Sequence, residues 1–309
     1  MIILDENSHE EFKEGTYIAL GSFDGLHKGH MTLINKVVDE AMADGVKSAV
    51  YTFKNHPLTV ANPELTPKLL MDNKQKIHLL KAKGIDVTIF ISFTMEYMKT
   101  EAEDFINMLI RDYNCKGFVV GFNFKYGYHN KGNIETLKAM AEKVGFKLFI
   151  MDAALSQDDI ISSTRIRSLI SKGNIEEANE LLFEPFMLRG KIIGGKKLGR
   201  KIGFPTANMS YNDEYLLPKT GVYYTNILVE GILHKGITSV GFNPTVEGKE
   251  LSIETHILDF DEEIYGREVK VYFINYMRDE EKYDSLDGLV HQLKKDEELA
   301  RKRELTALL

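Results

Sequence analysis

The sequence holds one cysteine, Cys115, and no tryptophan in 309 residues. One thiol cannot close an intramolecular disulfide, so a disulfide-stapled secreted scaffold is excluded, and a cysteine-rich zinc site with it. Long apolar runs are also missing. Val87–Phe93 is representative of the longest, far short of the ~20 residues that span a bilayer. The opening stretch, MIILDENSHEEFKEG, has no basic region around its short apolar run and does not read as a signal peptide. Positive charge is not in excess: 39 Lys+Arg against 46 Asp+Glu leave a net of −7, which argues against bulk nucleic-acid binding. No internal repeat or low-complexity segment occurs. What is present is an ordinary globular composition, 43% hydrophobic and 28% charged. The length exceeds the ~250–300 residues at which one core stops growing, so two domains are expected. Together these features suggest a cytoplasmic, two-domain enzyme or binding protein.

The first half alternates strand-like and helix-like segments. Tyr17–Phe23, Lys47–Phe53, Val87–Phe93, Gly117–Phe124 and Lys147–Met151 read as strands. Met31, Ile34, Val38 and Met42 form one stripe at helical spacing from Lys28 onward, with Gly45 as the stop. Further helices are predicted over 73–82, 101–113 and about 133–144, the second opened by a capping box of Thr100 and Glu103. Near-continuously apolar strands alternating with helices imply a parallel sheet covered on both faces, in a doubly wound Rossmann-like α/β domain. The pattern changes near Pro185. Met187–Ile193, Gly221–Glu230, Ile232–Val240, Leu251–Leu258 and Glu268–Phe273 then predict a small antiparallel barrel or sandwich, closed by a charged helix over roughly 285–303. The expected domains are 1–184 and 185–309.

The first chemically informative string is Gly21-Ser22-Phe23-Asp24-Gly25-Leu26-His27-Lys28-Gly29-His30. It lies where the first predicted strand gives way to the first helix, the edge at which open parallel sheets bind ligands. The helix start offers unpaired N–H groups to an anion, and the glycines let backbone approach a phosphate. His27 and His30, three apart, can project from one side of the first turn and donate hydrogen bonds to phosphoryl oxygens. The plainer alternative is a glycine-rich turn followed by two surface histidines. Ile161-Ser162-Ser163-Thr164-Arg165-Ile166-Arg167 combines hydroxyls suited to helix capping and anion binding with planar guanidinium groups; alone it is equally an ordinary N-cap. Phe124 and Tyr126 could stack on a ring or simply belong to the core.

In the second half, Arg189–Gly203 carries six basic residues, five glycines and no acid. A mobile loop of that composition suits a polyphosphate, though by itself it also reads as a flexible linker. Gly203-Phe204-Pro205-Thr206-Ala207-Asn208 follows, with neutral oxygens suited to Mg2+ and phosphate. In Ser252–Ile257, strand alternation puts Ile253, Thr255 and Ile257 on one face and Glu254 and His256 on the other. A carboxylate on the inner or rim face of a small barrel is costly unless used or paired, which makes Glu254 a candidate base; a solvent-facing glutamate is the commoner case.

The strings G-S-F-D-G-x-H-x-G-H, Thr52-Phe53…His56-Pro57, Gly121-x-Asn123-Phe124-x-Tyr126-Gly127 and I-S-S-T-R-I-R resemble, in order, those of the bacterial bifunctional riboflavin kinase/FMN adenylyltransferases, or FAD synthetases. GxxLGRxxGFPTAN, Gly221-Val222-Tyr223, Gly241-x-x-Pro244-Thr245, Glu254-x-His256-x-Leu258-Asp259-Phe260, Tyr265-Gly266, Arg278-Asp279-Glu280-x-Lys282-Tyr283 and Gln292-x-x-x-Asp296 extend the resemblance over nearly all of the second half. The resemblance implies a nucleotidylyl transferase domain followed by a six-stranded Greek-key barrel with a C-terminal helix. It implies that Gly21, Ser22, Phe23, Gly25, His27, His30, Ser162, Ser163, Thr164 and Arg167 bind ATP phosphates, with His27, His30 and Arg167 catalytic. His56, Asn123 and Phe124 would lie on the flavin side. Gly195, Lys196, Gly199, Arg200, Gly203, Thr206 and Asn208 would bind the kinase ATP, Thr206 and Asn208 would hold Mg2+, and Glu254 would take the proton of the riboflavin 5′-hydroxyl. Riboflavin, ATP, FMN and FAD are the implied substrates and products, with no nucleic acid, membrane or obligate protein partner.

Overall fold

The apolar runs of the first half pair in parallel. In the computed structural model, which describes residues 1–195, 198–245, 248–306 and 308, the contacts divide the chain into two units. One consists of Met1–Leu69 and Asn73–Ser162, the other of Leu70–Asp72 and Ser163–Leu309. The first unit is built on β1 (Ile2–Leu4), β2 (Thr16–Leu20), β3 (Lys47–Phe53), β4 (Val87–Ile91), β5 (Cys115–Gly121) and β6 (Lys147–Met151), ordered β1-β4-β3-β2-β5-β6. Every pairing in this sheet is parallel. β2 and β4 are buried along their whole length, as expected of strands covered on both faces. The helices are α1 (Lys28–Asp44), α2 (Leu58–Ala61), α3 (Asn73–Ala82), α4 (Met95–Met98), α5 (Ala102–Tyr113) and α6 (Ile134–Val144). Gly45 closes α1 in the left-handed conformation, at φ 68°. A short hairpin, β7 (Leu155–Ser156) with β8 (Asp159–Ile160), ends the unit.

The capping box expected at Thr100 and Glu103 does not form. Glu101 is the N-cap of α5, without a side-chain cap hydrogen bond. Thr100 is used instead to finish the preceding turn: its N–H donates to the Tyr97 carbonyl and its own carbonyl accepts from Tyr128 N–H. Glu103 is engaged by Lys143 Nζ at 3.0 Å. β2, β4 and β5 also stop two or three residues sooner than their apolar runs, because Gly21–Phe23, Ser92–Phe93 and Phe122–Phe124 already belong to the loops of the sheet edge.

The second unit comprises α7 (Ser163–Lys172), α8 (Ile175–Leu181), β9 (Met187–Ile193), α9 (Leu198–Lys201), β10 (Ala207–Met209), β11 (Gly221–Val229), β12 (Ile232–Thr245), β13 (Gly248–Ile257), β14 (Glu268–Arg278) and α10 (Leu286–Arg301). The strands close into an antiparallel barrel ordered β10-β13-β12-β11-β14-β9. Val222 and Tyr224 pack outward with Ile237, Leu258 and Ala300 of α10. By alternation Tyr223, Thr225 and Ile227 face the interior, where the hydroxyls of Thr225, Thr238 and Thr255 form a buried chain of 2.8 Å hydrogen bonds. The Arg278 guanidinium forks onto the buried Asp296 at 2.7–3.2 Å, and Gln292 Nε2 donates to the same carboxylate at 2.9 Å, fixing α10 to β14. Two of the motifs noted in the sequence are thus structural clamps.

Composition shifts near 184, but contact groups α7 and α8 with the barrel. Ile166, Ile170, Ile175, Ala178 and Leu181 are all buried, and Asn179 bridges Phe273 carbonyl and Phe186 N–H at 2.8 and 2.9 Å. Asp72 is drawn from far upstream to Arg189 of β9, whose Nε lies 2.7 Å from its carboxylate.

Candidate active sites

In the first unit, the sheet order reverses beside β2. The chain leaves β2 toward β3 and β4 on one side, then returns to β5 on the other side of β2. In open α/β sheets such a switch point, beyond the carboxyl ends of β2 and β5, is where ligands bind. Gly21–His30 follows β2 and Asn123–Phe124 follows β5. The turn after β2 is conformationally costly: Phe23, Gly25 and Leu26 all have positive φ, at 47°, 84° and 37°. The side chains of Phe23 and Leu26 are fully buried, and that burial holds the turn.

His27 is the N-cap of α1, and its Nδ1 accepts the backbone N–H of His30 at 3.2 Å. That bond places its ring proton on Nε2. The two imidazoles stack with centroids 3.6 Å apart and planes at 15°, and Phe23 meets His30 edge-on. Gly29 between them has a steric reason: a Cβ there would press on the His27 ring at 3.1 Å. Burial lowers the His27 pKa to about 4 and takes His30 well below its ordinary value, with His27 and the Lys76 cation adding to the latter. Both rings are therefore neutral at pH 7, so what they can offer an anion is an N–H rather than a positive charge. His30 Nδ1 is buried without a hydrogen-bond partner among the described residues.

The flavin-side candidates lie on the loops of this same carboxyl edge. His56 Nδ1 caps the short α2 by accepting Leu58 N–H at 3.2 Å, while Asn123 is exposed. Phe124 is half-buried and stacked on Tyr126, with centroids 5.4 Å apart at 14°, so its partner is a side chain of the core. Ser162 is the last residue of the first unit; Ser163, Thr164 and Arg167 begin α7 in the second. Arg165 of the same string is engaged by Glu177 at 3.1 Å.

In the second unit, Glu254 on β13 pairs in register with Asn208 of β10 and Ser239 of β12. The expected alternation holds, but the facing is opposite to an inner or rim carboxylate. Thr255 points into the barrel, so Glu254, Asn208 and His256 share the outer face. Solvent access there removes the burial cost that made the inner position notable. Thr206 Oγ1 donates to Glu254 Oε2 at 3.2 Å. His256 Nδ1 donates to the Pro205 carbonyl at 2.8 Å while its ring meets Phe204 edge-on, so the Phe204–Thr206 segment is held against β13.

The expected mobile loop is partly regular. β9 continues to Ile193, and Leu198–Lys201 forms the helical turn α9; Lys196 lies outside the described residues. A Cβ on Gly195 would collide with the Asn208 amide, and one on Gly199 with the Phe204 carbonyl, so both glycines permit close approach to β10 and the residues that lead into it. Gly203 turns the chain at φ 88°. A pocket beside this strand is lined by Arg200, Thr206, Phe260, Glu263 and Tyr265, among others, and Arg200 approaches Glu263 to 3.9 Å. Thr206, Asn208 and Glu254 thus gather hard oxygen donors on one surface. Among the described residues, no group of three or more His, Cys, Asp or Glu forms a metal cage.

Sequence reasoning passed over two buried charged residues of this unit, Lys76, whose charge acts on His30, and Asp24. The signal for Lys76 was present: it sits on the stripe of α3 with Leu79 and Leu80, at i+3 and i+4.

The FAD synthetase family model matches residues 9–165, and the riboflavin kinase model matches residues 182–303. The bifunctional riboflavin kinase/FMN adenylyltransferase of Listeria monocytogenes is 38% identical over 286 residues, covering 92% of this chain and 91% of the relative. That of Bacillus subtilis is 34% identical over 297 residues, covering 94% and 93%. A crystal structure described as a macrolide-efflux protein from Streptococcus pneumoniae is 32% identical, with a TM-score of 0.89 over 98% of this chain and 100% of that one. That description is of the other protein; among the described residues here, no helix is long and apolar enough to cross a membrane. With two family models in tandem and relatives matched nearly end to end, the chain belongs to the family of bifunctional riboflavin kinase/FMN adenylyltransferases.

Proposed function

We propose that the chain divides its two activities by sequence, FMN adenylyltransferase in 1–184 and riboflavin kinase in 185–309, each resting on the residues named above. The enzyme phosphorylates riboflavin with ATP to give FMN and joins FMN to the AMP part of ATP to give FAD and pyrophosphate. The observation that carries the division is that the neutral His27–His30 stack and the Thr206–Asn208–Glu254 surface each lie within the stretch matched by the corresponding family model.

In the kinase step, the riboflavin 5′-hydroxyl attacks the γ-phosphorus of ATP, its proton passes to Glu254, and ADP leaves. Glu254 orients the hydroxyl as well as receiving the proton. Gly195, Gly199, Arg200 and Gly203 border the phosphates, with Lys196 in the same segment. The oxygen donors of Thr206 and Asn208 fit Mg2+, which prefers one or two protein ligands plus substrate phosphates and would supply charge neutralisation there. In the adenylyl step, an FMN phosphate oxygen attacks the α-phosphorus and the bond to the β-phosphate breaks. Nε2–H of His27 and the His30 ring donate to the oxygens where charge develops, and Ser162, Ser163, Thr164 and Arg167 bind phosphate. His56, Asn123 and Phe124 receive the flavin. ATP as co-substrate and the free, buried Cys115 support a cytoplasmic location. The reactions call for no nucleic acid, membrane or obligate protein partner.

Incubation with riboflavin, ATP and Mg2+, followed by chromatography, should give FMN first and then FAD. FMN accumulating without FAD when ATP is resupplied would remove the adenylyltransferase assignment.

His256 supports a sharper test of the kinase site. Asparagine can place an amide N–H where Nδ1–H lies, whereas glutamine reaches toward the Nε2 position. His256→Asn should keep riboflavin phosphorylation within a few-fold, while His256→Gln should raise the KM for ATP by about tenfold, the cost of one hydrogen bond in a loop. Equal losses in both variants would count against anchoring through Pro205.

A further inference from the structure

Lys76 is a charged residue inside the first unit. It is 5% exposed, and its ammonium donates to the Ser22 carbonyl at 2.9 Å. The same carbonyl accepts the Thr52 hydroxyl at 2.9 Å. The Phe90 ring lies beneath the ammonium, 5.5 Å to the centroid. A buried cation is costly unless it is matched, and the match here is the turn Gly21–Gly25 itself. That turn holds Phe23 and Leu26 at positive φ and delivers His27 to the start of α1.

We propose that Lys76 is a positioning residue for adenylyl transfer, tying the strained Gly21–Leu26 turn through the Ser22 carbonyl, with Asp24 of the same turn as its countercharge, so that the His27–His30 pair is aimed at the phosphates. This rests on the proposed use of that pair. Among the described residues, the charged and titratable groups that act on or feel the ammonium are Asp24 from the turn and His30 from α1. Desolvation lowers the Lys76 pKa to about 8, and Asp24 opposes that shift. The tie is therefore charged below about pH 8; above it the neutral amine keeps two N–H donors, but the bond to Ser22 is weaker and the attraction to Asp24 is gone.

The test is the pH profile of FAD formation from FMN and ATP, with riboflavin phosphorylation by the same samples and a thermal melt as controls. The wild type should lose activity on an alkaline limb centred near pH 8. Lys76→Met, of similar length without charge, should lower kcat by about 10- to 100-fold at pH 7, the effect of losing one charged buried hydrogen bond, and should have no limb near pH 8. Lys76→Arg, which keeps the cation, should retain more activity than Lys76→Met. Asp24→Asn removes the carboxylate that supports the charged form and should move the limb to lower pH, a displacement that a purely structural role does not produce. The proposal is overturned if the limb stays near pH 8 in Lys76→Met, or if Asp24→Asn leaves the limb in place. FAD formation absent from the wild type would instead remove the adenylyltransferase reading on which it depends.

Discussion

Replacing His27 with asparagine should lower FAD formation from FMN and ATP by about 10²- to 10³-fold, the usual cost of removing one donor to a developing oxyanion, while riboflavin phosphorylation continues. The substitution is chosen because it separates the observed cap from the proposed donor role of His27. Its Nδ1 caps α1 by accepting His30 N–H, and asparagine is among the best N-cap residues, with an oxygen able to accept the same bond. Its Nε2–H is the donor available to a phosphoryl oxygen, and asparagine cannot reach that position. The burial that lowers its pKa to about 4 means that the loss at pH 7 is that of a neutral donor, not of a cation. The wild-type rate should accordingly be insensitive to His27 protonation down to about pH 4. Chromatographic separation of FMN and FAD over time reads both activities in one sample. FAD formation within tenfold of wild type would mean that the stacked rings serve the fold rather than the chemistry.

Glu254→Gln should lower FMN formation by about 10²- to 10⁴-fold, the range for loss of a general base, while supplied FMN is still converted to FAD. Glutamine keeps the volume and a carbonyl oxygen that can accept the Thr206 hydroxyl now directed to Oε2. What it removes is the charge and the ability to take a proton. Because Glu254 stands on the outer wall of the barrel, away from the buried threonine chain, the substitution should leave the melting temperature nearly unchanged. Retention of more than a tenth of the phosphorylation rate would leave Glu254 as an orienting group only. Loss of both activities in a folded protein would contradict separate sites.

Much of this architecture was legible because burial imposes simple periods. Runs such as Val87–Ile91 have no polar face to show, and only a strand covered on both sides tolerates that. His27 and His30 were legible because glycine and histidine at a strand-to-helix edge have few purely structural uses. Short-range pattern failed where the deciding partner was distant. β1 has only three residues, and its place beside β4 depends on a strand more than eighty residues away. The capping-box pattern at Thr100 was genuine, but the turn before it and Tyr128 had the stronger demand on that backbone. Alternation put Glu254 and His256 on one face, yet alternation alone cannot say which face is the inside; that required α10 lying over Val222 and Tyr224. Lys76 escaped because a lysine on an apolar stripe is readily dismissed as a snorkelling surface residue.

The three residues Leu70–Asp72 have a genetic consequence. Because the barrel unit recruits them from within the numbering of the first unit, the gene cannot be cut at one codon into two pieces that each keep their full set of contacts. A reading frame starting at Ser163 encodes every strand of the barrel but omits Asp72, and leaves the largely buried Arg189 guanidinium with Glu268 as its remaining acidic partner. Losing a partner from such a group costs about 1–3 kcal/mol. A kinase half kept alone would carry that cost unless a substitute anion, or a replacement for the arginine itself, relieved it.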